Sequence, residues 1–147
     1  MKALFLALLV AVLTGCSITP SRGFYEGQEA IGWKHSIQIG SGGVNEYATT
    51  KRGISVTFST TERGSIYMSI YSPSDQPVFR SPDVTLRLPD GTTKHFPATS
   101  PLAIHIGDAD VFTLEIPEFE MAGHSFPKLE ATFRWNASTR YYIRGIQ

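Results

Sequence analysis

The chain has little of several features that often point to a function. It contains one cysteine in 147 residues, so no disulfide can form within it. Its 13 basic and 13 acidic side chains are dispersed, and no block of one sign occurs along the sequence. A nucleic-acid surface or a polybasic lipid patch needs clustered lysine and arginine. The composition therefore argues against both, and we expect no nucleic-acid partner.

Metal-binding and catalytic motifs are also absent. The sequence has no Gly-x-Ser-x-Gly, no His-Glu-x-x-His and no phosphate loop. None of the four histidines, His35, His95, His105 and His124, has a partner at a metal-ligand spacing. His95 and His105 would meet only if their strands pair, and His35 falls on an apolar face, where a core or interface histidine is favoured. We expect no metal and no cofactor.

Two acidic segments are possible sites. The segment 107–110 offers Asp108 and Asp110, but Ca²⁺ needs about six to eight oxygen ligands and the rest of the loop pattern is missing. Glu115, Glu118 and Glu120 lie around Pro117, which indicates a strand end. Two of these carboxylates could act as a glycosidase pair only if they stood on opposite sides of a cleft, and the sequence indicates no cleft. We therefore expect that this chain is not an enzyme. A small envelope hydrolase using Glu118 or Glu120 with a nearby histidine is the alternative.

The beginning of the chain has the pattern of a secretory signal. Lys2 precedes an apolar run of eleven residues, 3–13, which is shorter than the about 20 residues of a transmembrane helix. The run ends at Leu13, and the four residues Leu13-Thr14-Gly15-Cys16 resemble the lipobox of bacterial lipoprotein precursors. This resemblance implies cleavage before Cys16 and attachment of lipid to its thiol, which leaves no free thiol for catalysis.

The lipobox also implies a location. A mature lipoprotein carries two or three acyl chains, which hold it stably at the membrane. In Gram-negative bacteria, Ser17 rather than aspartate after the cysteine favours the outer membrane, on its periplasmic face. Removal of residues 1–15 leaves 132 residues with 12 basic and 13 acidic side chains, a net charge of −1. We assign residues 16–30 to the lipidated cysteine and a tether, and 31–147 to one domain.

The rest of the chain alternates apolar and polar residues with a period of two. This pattern indicates half-buried strands, as in Ile54-Val56-Phe58, Ile66-Met68-Ile70, Val84-Leu86-Leu88, Phe112-Leu114-Ile116 and Leu129-Ala131-Phe133-Trp135. Turns are expected at 62–64, 89–91 and 136–138, and a loop at 40–43. We count eight or nine strands and no helix. The predicted fold is an antiparallel β-sandwich of immunoglobulin-like arrangement, with a small barrel as the alternative.

Exposed tyrosines are the remaining candidates for a binding surface. Tyr67 and Tyr71 lie on one face of their predicted strand, and Tyr142 lies on the outer face of the last strand. Aromatic side chains are enriched in binding sites because they provide a large contact area at low entropic cost. We therefore expect a non-enzymatic domain that binds an envelope protein or a cell-wall glycan through these residues.

Overall fold

The fold of this chain is formed by strands. The computed structural model describes residues 17–28, 33–39, 45–73 and 75–144. These residues form thirteen β-strands, all paired antiparallel, and no helix. No segment in this part of the chain is therefore an apolar helix long enough to cross a membrane. The predicted all-β antiparallel class is confirmed, but the predicted number of eight or nine strands was too low.

Two five-stranded sheets make up most of the structure. The first has the order β1-β13-β10-β7-β8 and the second the order β2-β3-β4-β5-β9, while β12-β11-β6 form a small third sheet. The first sheet contains β1 (Ser17–Gly27), β7 (Asp83–Arg87), β8 (Thr93–Pro97), β10 (Val111–Ile116) and β13 (Leu129–Arg144). The second contains β2 (Lys34–Ile39), β3 (Asn45–Lys51), β4 (Ile54–Glu62), β5 (Ser65–Tyr71) and β9 (Leu102–His105). The third contains β6 (Val78–Phe79), β11 (Phe119–Met121) and β12 (His124–Phe126).

One apolar core joins the three sheets. The alternation in each strand places every second side chain inward, so that β10 buries Phe112, Leu114 and Ile116 completely or nearly so. Aromatic rings connect the two large sheets, because Phe133 of β13 lies 4.9 Å from Phe58 of β4 in an edge-to-face arrangement. The small sheet adds Phe119, Met121 and Phe126 to the same core. Burial on one face of each sheet explains why the strands are amphipathic.

Two of the predicted turns are confirmed. Residues 63 and 64 connect β4 to β5, and Gly64 has a positive φ of 90°, which suits glycine. The Pro89-Asp90-Gly91 turn connects β7 to β8, and an Asp90 carboxylate oxygen accepts a hydrogen bond of 2.8 Å from the Thr92 amide. That backbone hydrogen bond lowers the pKa of Asp90, since it favours the charged carboxylate.

Two other predictions differ from the structure. The segment 16–30 was predicted to be a tether, but residues 17–27 form β1, which pairs with β13 along almost its whole length. The segment 136–138 was predicted to turn the chain, but β13 continues through it to Arg144. Instead, the pairing between β1 and β13 is irregular at this point. Two residues of β13, Ala137 and Ser138, lie opposite the single residue Gly23 of β1. The predicted loop at 40–43 lies outside the described residues.

The side chain of Tyr25 links β1 to the second sheet. Its hydroxyl accepts a hydrogen bond of 3.0 Å from the Gly64 amide and donates one of 3.2 Å to the Ala109 carbonyl. The Tyr25 amide in turn donates to the Thr60 hydroxyl at 3.0 Å. The ring is 2% exposed and makes an edge contact with Phe112 at 4.9 Å. Burial raises the pKa of Tyr25, because the phenolate would lose its hydration.

We expect Tyr25→Phe to lower the free energy of unfolding by about 1–3 kcal/mol, since the buried Gly64 amide would lose its acceptor. The raised pKa means that the folded state holds the phenolic proton more tightly than the unfolded chain does. The stability due to this hydroxyl is therefore complete below about pH 10, the ordinary tyrosine value. It is lost as the pH rises towards the folded-state pKa. Urea unfolding at neutral and alkaline pH measures both effects.

Tyr71→Phe is the matched control, because it removes the same hydroxyl from a side chain that is 64% exposed. Its stability should follow that of the unchanged chain at both pH values. Equal stability of the Tyr25 and Tyr71 variants would contradict the role given to the buried hydroxyl.

Candidate binding surface

Tyr67 and Tyr71 lie on the outer face of the second sheet. They alternate along β5 with Ile66, Met68 and Ile70, which are buried in the core. Tyr67 is 41% exposed and Tyr71 is 64% exposed, and they are two of the three large hydrophobic side chains exposed among the described residues. Because four residues of a strand span about 13 Å, the two rings are well separated on one face.

Small uncharged side chains lie opposite the two tyrosines. In the register of the sheet, Tyr67 lies opposite Ser59 of β4 and Ala103 of β9, and Tyr71 lies opposite Ser55 of β4. Between the tyrosines, Ser69 lies opposite Thr57. These neighbours are uncharged and short, so the two tyrosines are the large side chains of this region. We refer to it as the Tyr67–Tyr71 face, defined by Tyr67, Tyr71, Ser55, Thr57, Ser59, Ser69 and Ala103.

Charged or titratable groups lie next to the Tyr67–Tyr71 face. Glu46 of β3 accepts a hydrogen bond of 3.3 Å from the Ser59 hydroxyl. His105 of β9 lies with its Nδ1 atom 3.3 Å from the Ser65 hydroxyl. The centre of the face is therefore polar without charge, and its neighbours include carboxylates, such as that of Glu46, and an imidazole.

Tyr142, the third tyrosine of the predicted surface, lies in the first sheet. It is part of β13 and is paired with Thr19 of β1, whereas Tyr67 and Tyr71 belong to β5 of the second sheet. Its side chain lies outside the described part of the structure. The three tyrosines therefore do not share a sheet.

The structure separates the two histidines that sequence reasoning considered together. His95 lies on β8 at the edge of the first sheet, and His105 lies on β9 at the edge of the second. The Nδ1 atom of His95 lies 3.3 Å from the hydroxyl oxygen of Thr85, which belongs to the same sheet. Within the described ranges no three His, Cys, Asp or Glu side chains are grouped as a metal site would require. The side chain of His35 lies outside those ranges.

The acidic residues considered for catalysis take part in ion pairs and hydrogen bonds. Glu115 pairs with Arg87 and, at 3.2 Å, with Lys128. Glu120 pairs with Arg80. Glu118 accepts a hydrogen bond of 3.3 Å from the Ser125 hydroxyl. The second candidate segment is similar, because Asp110 pairs with Arg63 at 2.7 Å.

A concave surface of about 500 Å³ lies beside the small third sheet and was missed by sequence reasoning. Its lining includes Asp75, Val78, Glu120 and His124. The strands that form it have only two or three residues, too few to show a period of two. The turn between β11 and β12, Ala122-Gly123, has positive φ at both residues, as a two-residue hairpin turn requires. Gly123 was the residue from which this turn could have been predicted.

Comparison with known proteins yielded no match: no family model, no curated protein and no solved structure is significantly similar to this chain. Its function must therefore be argued from its own residues.

Proposed function

We propose that this protein is a lipid-anchored lipoprotein of the bacterial envelope whose β-domain binds a partner without catalysing a reaction. The anchor is supported by the order Leu13-Thr14-Gly15-Cys16 after a short apolar run. Ser17 after the cysteine favours the periplasmic face of the outer membrane in a Gram-negative bacterium. The observation that carries the binding role is the exposure of Tyr67 and Tyr71 on one uncharged sheet face.

We infer that the two large sheets form an immunoglobulin-like sandwich. Their inner faces contribute to one core, and Phe58 of the second sheet contacts Phe133 of the first at 4.9 Å. The strand orders of the two sheets are separate, with β1 and β8 at the edges of one and β2 and β9 at the edges of the other. This separation favours a sandwich over the small barrel. A sandwich leaves the outer face of each sheet available for contacts.

The partner that best fits the Tyr67–Tyr71 face is the surface of another envelope protein. Tyrosine with surrounding serine is the combination that protein-recognition surfaces favour, because tyrosine provides contact area and serine provides adaptable hydrogen bonds. Protein interfaces are also depleted of charge at their centre. The face matches both features, since its centre lacks charge and Glu46 and His105 lie beside it. A cell-wall glycan is the competing occupant.

The lipid anchor has a direct test. The mature protein should have the mass of residues 16–147 plus a diacylglyceryl group and its further acyl chain, and it should fractionate with the outer membrane. Cys16→Ala should lack the lipid mass and be uncleaved or released, because it has no thiol to modify. An unchanged mass and unchanged membrane attachment in this variant would contradict lipidation at Cys16.

The binding face can be tested by site-specific cross-linking in intact envelopes. A photoreactive amino acid at Ser69, between the two tyrosines, should yield a discrete adduct whose digestion releases peptides of a second protein. Combining it with Tyr67→Ser and Tyr71→Ser should reduce the adduct at least about tenfold, since each central aromatic of an interface contributes about 1–2 kcal/mol or more.

Val78→Ser is the matched control, because Val78 is 66% exposed but belongs to the third sheet. It should leave the adduct unchanged. Absence of any adduct would overturn the proposed face. An adduct that a cell-wall glycosidase shortens, and whose peptides all come from this chain, would identify a glycan in place of a protein.

The alternative of an envelope hydrolase rests on the concave surface that Glu120 and His124 both line. Its support is weaker, since Glu120 is paired with Arg80 and its carboxylate is half-exposed. If the alternative holds, the protein should release sugar fragments from cell-wall glycans and Glu120→Gln should abolish this release. Glu130→Gln, an exposed glutamate of β13 outside that surface, is the control. No release by the unchanged protein would exclude this alternative.

A further inference from the structure

The strands β1 and β13 continue together beyond the first sheet. β13 pairs with β10 only from Leu129 to Arg134, but its pairing with β1 extends to Arg144. The last six pairs run from Arg22 opposite Thr139 to Ser17 opposite Arg144. We call this two-stranded segment, residues 17–22 and 139–144, the terminal ribbon. At about 3.3 Å per residue it is about 20 Å long.

The terminal ribbon is basic. It contains Arg22, Arg140 and Arg144 and no aspartate or glutamate, so its net charge is +3. The remaining residues of the mature chain have nine basic and thirteen acidic side chains, a net charge of −4. The arginines come from opposite ends of the chain, and the pairing of β1 with β13 places them on one ribbon. The separation of charge is a result of the fold and does not appear as a charge block in the sequence.

The two faces of the terminal ribbon differ in composition. Residues that lie opposite each other in an antiparallel pair belong to the same face. By this register one face contains the apolar and aromatic positions Ile18, Pro20, Tyr141 and Ile143, with Arg22 and Thr139 nearest the rest of the sheet. The other face contains Arg140, Tyr142 and Arg144 together with Ser17, Thr19 and Ser21. The pattern is that of an amphipathic ribbon.

We propose that the terminal ribbon lies on the surface of a bilayer containing anionic phospholipids. Its charge is complementary to that of lipid phosphates, which arginine binds through its planar guanidinium group. Tyrosine and arginine are also the residues enriched where a polypeptide meets the headgroup region. The alternation of apolar and polar register positions along the ribbon is also the pattern of amphipathic segments that lie at the boundary between headgroups and acyl chains. The acidic remainder of the domain would then be repelled from the same surface.

This inference deepens the proposed function, because Ser17 at one end of the terminal ribbon directly follows Cys16, the proposed lipidation site. A lipid on Cys16 would bring the ribbon to the membrane, and the ribbon would then fix the orientation of the domain there. Binding of the ribbon without any lipid is nevertheless a separate property and can be measured separately.

The test uses the mature chain, residues 16–147, with Cys16→Ser so that no lipid can be attached. This chain retains every described strand and every core residue. Cosedimentation is measured with vesicles of phosphatidylcholine alone and with vesicles of equal parts phosphatidylcholine and phosphatidylglycerol. We expect binding to the anionic vesicles only. The combined change Arg22→Gln, Arg140→Gln and Arg144→Gln should weaken it about a hundredfold, since each arginine near an anionic surface contributes about a fivefold factor.

A control variant removes three positive charges from the rest of the domain, by Lys34→Gln, Lys94→Gln and Arg134→Gln. It changes the net charge by the same amount and should keep most of the binding. Circular dichroism and Tm verify that both variants are folded. A salt titration on the unchanged chain serves as a test that needs no variant, because binding by charge should decrease as ionic strength rises.

Three outcomes would overturn the proposal: equal binding to both kinds of vesicle, equal loss in the two triple variants, or binding that salt does not weaken. Displacement by inorganic phosphate beyond that caused by sodium chloride of the same ionic strength would indicate a site for free phosphate and would also overturn it. Failure of lipidation at Cys16 would appear in the mass and membrane fractionation of the processed protein and would not change the vesicle assay. The two proposals can therefore fail independently.

Discussion

The buried hydroxyl of Tyr25 connects parts of the molecule that are far apart in sequence. It accepts a hydrogen bond from Gly64, in the turn between β4 and β5, and donates one to Ala109, in the loop before β10. The Tyr25 amide adds a third bond, to Thr60 of β4. In a buried environment, any of these polar groups left without a hydrogen-bond partner would destabilise the folded state. At this residue β1, a strand of the first sheet, is therefore held to the second sheet and to the loop before β10.

The position of β1 determines the geometry of the neighbouring segment. Gly23 has a φ of 67°, and a β-carbon there would lie 2.2 Å from the Trp135 ring, so only glycine fits. The pairing of β1 with β13 shifts at this glycine. On one side of the shift the two strands are part of the core, with Phe24 and Phe133 buried. On the other side they form the terminal ribbon. The junction of domain and ribbon thus rests on a close contact between a glycine and an indole ring.

The same alternation that forms the core also leaves the candidate binding surface outside. In β5, Met68 must be apolar because it lies in the core, while Tyr67 and Tyr71 are free of that requirement. Substitutions on the outer face should therefore affect the proposed partner binding more than folding. With the proposed anchor at Cys16, a basic ribbon next to the membrane and an uncharged tyrosine face on the other large sheet would divide attachment and partner binding between the two sheets.

Much of the fold could be predicted because it depends on local patterns. The alternation in β4, β5, β7, β10 and the first half of β13 specifies which face is apolar, and Pro89-Asp90-Gly91 specifies a turn by its own backbone preferences. The exposure of Tyr67 and Tyr71 follows from the same period. β3 was missed because its inner positions include Thr49, a buried polar residue that interrupts the apolar pattern. The strands of the third sheet are too short to show any period.

The sequence by itself determined the all-β class, the faces of the long strands and the lipobox resemblance, since each depends on residues close together in the chain. Strand partners and register were decided only by the tertiary structure. Residues 17–22 are mostly polar and contain a proline, so their local pattern indicates a tether, and only the pairing with 139–144 makes them a strand. The same pairing places Arg22 on one ribbon with Arg140 and Arg144. Such pairing is non-local, because the free energy that favours it comes from contacts between segments that are remote in sequence.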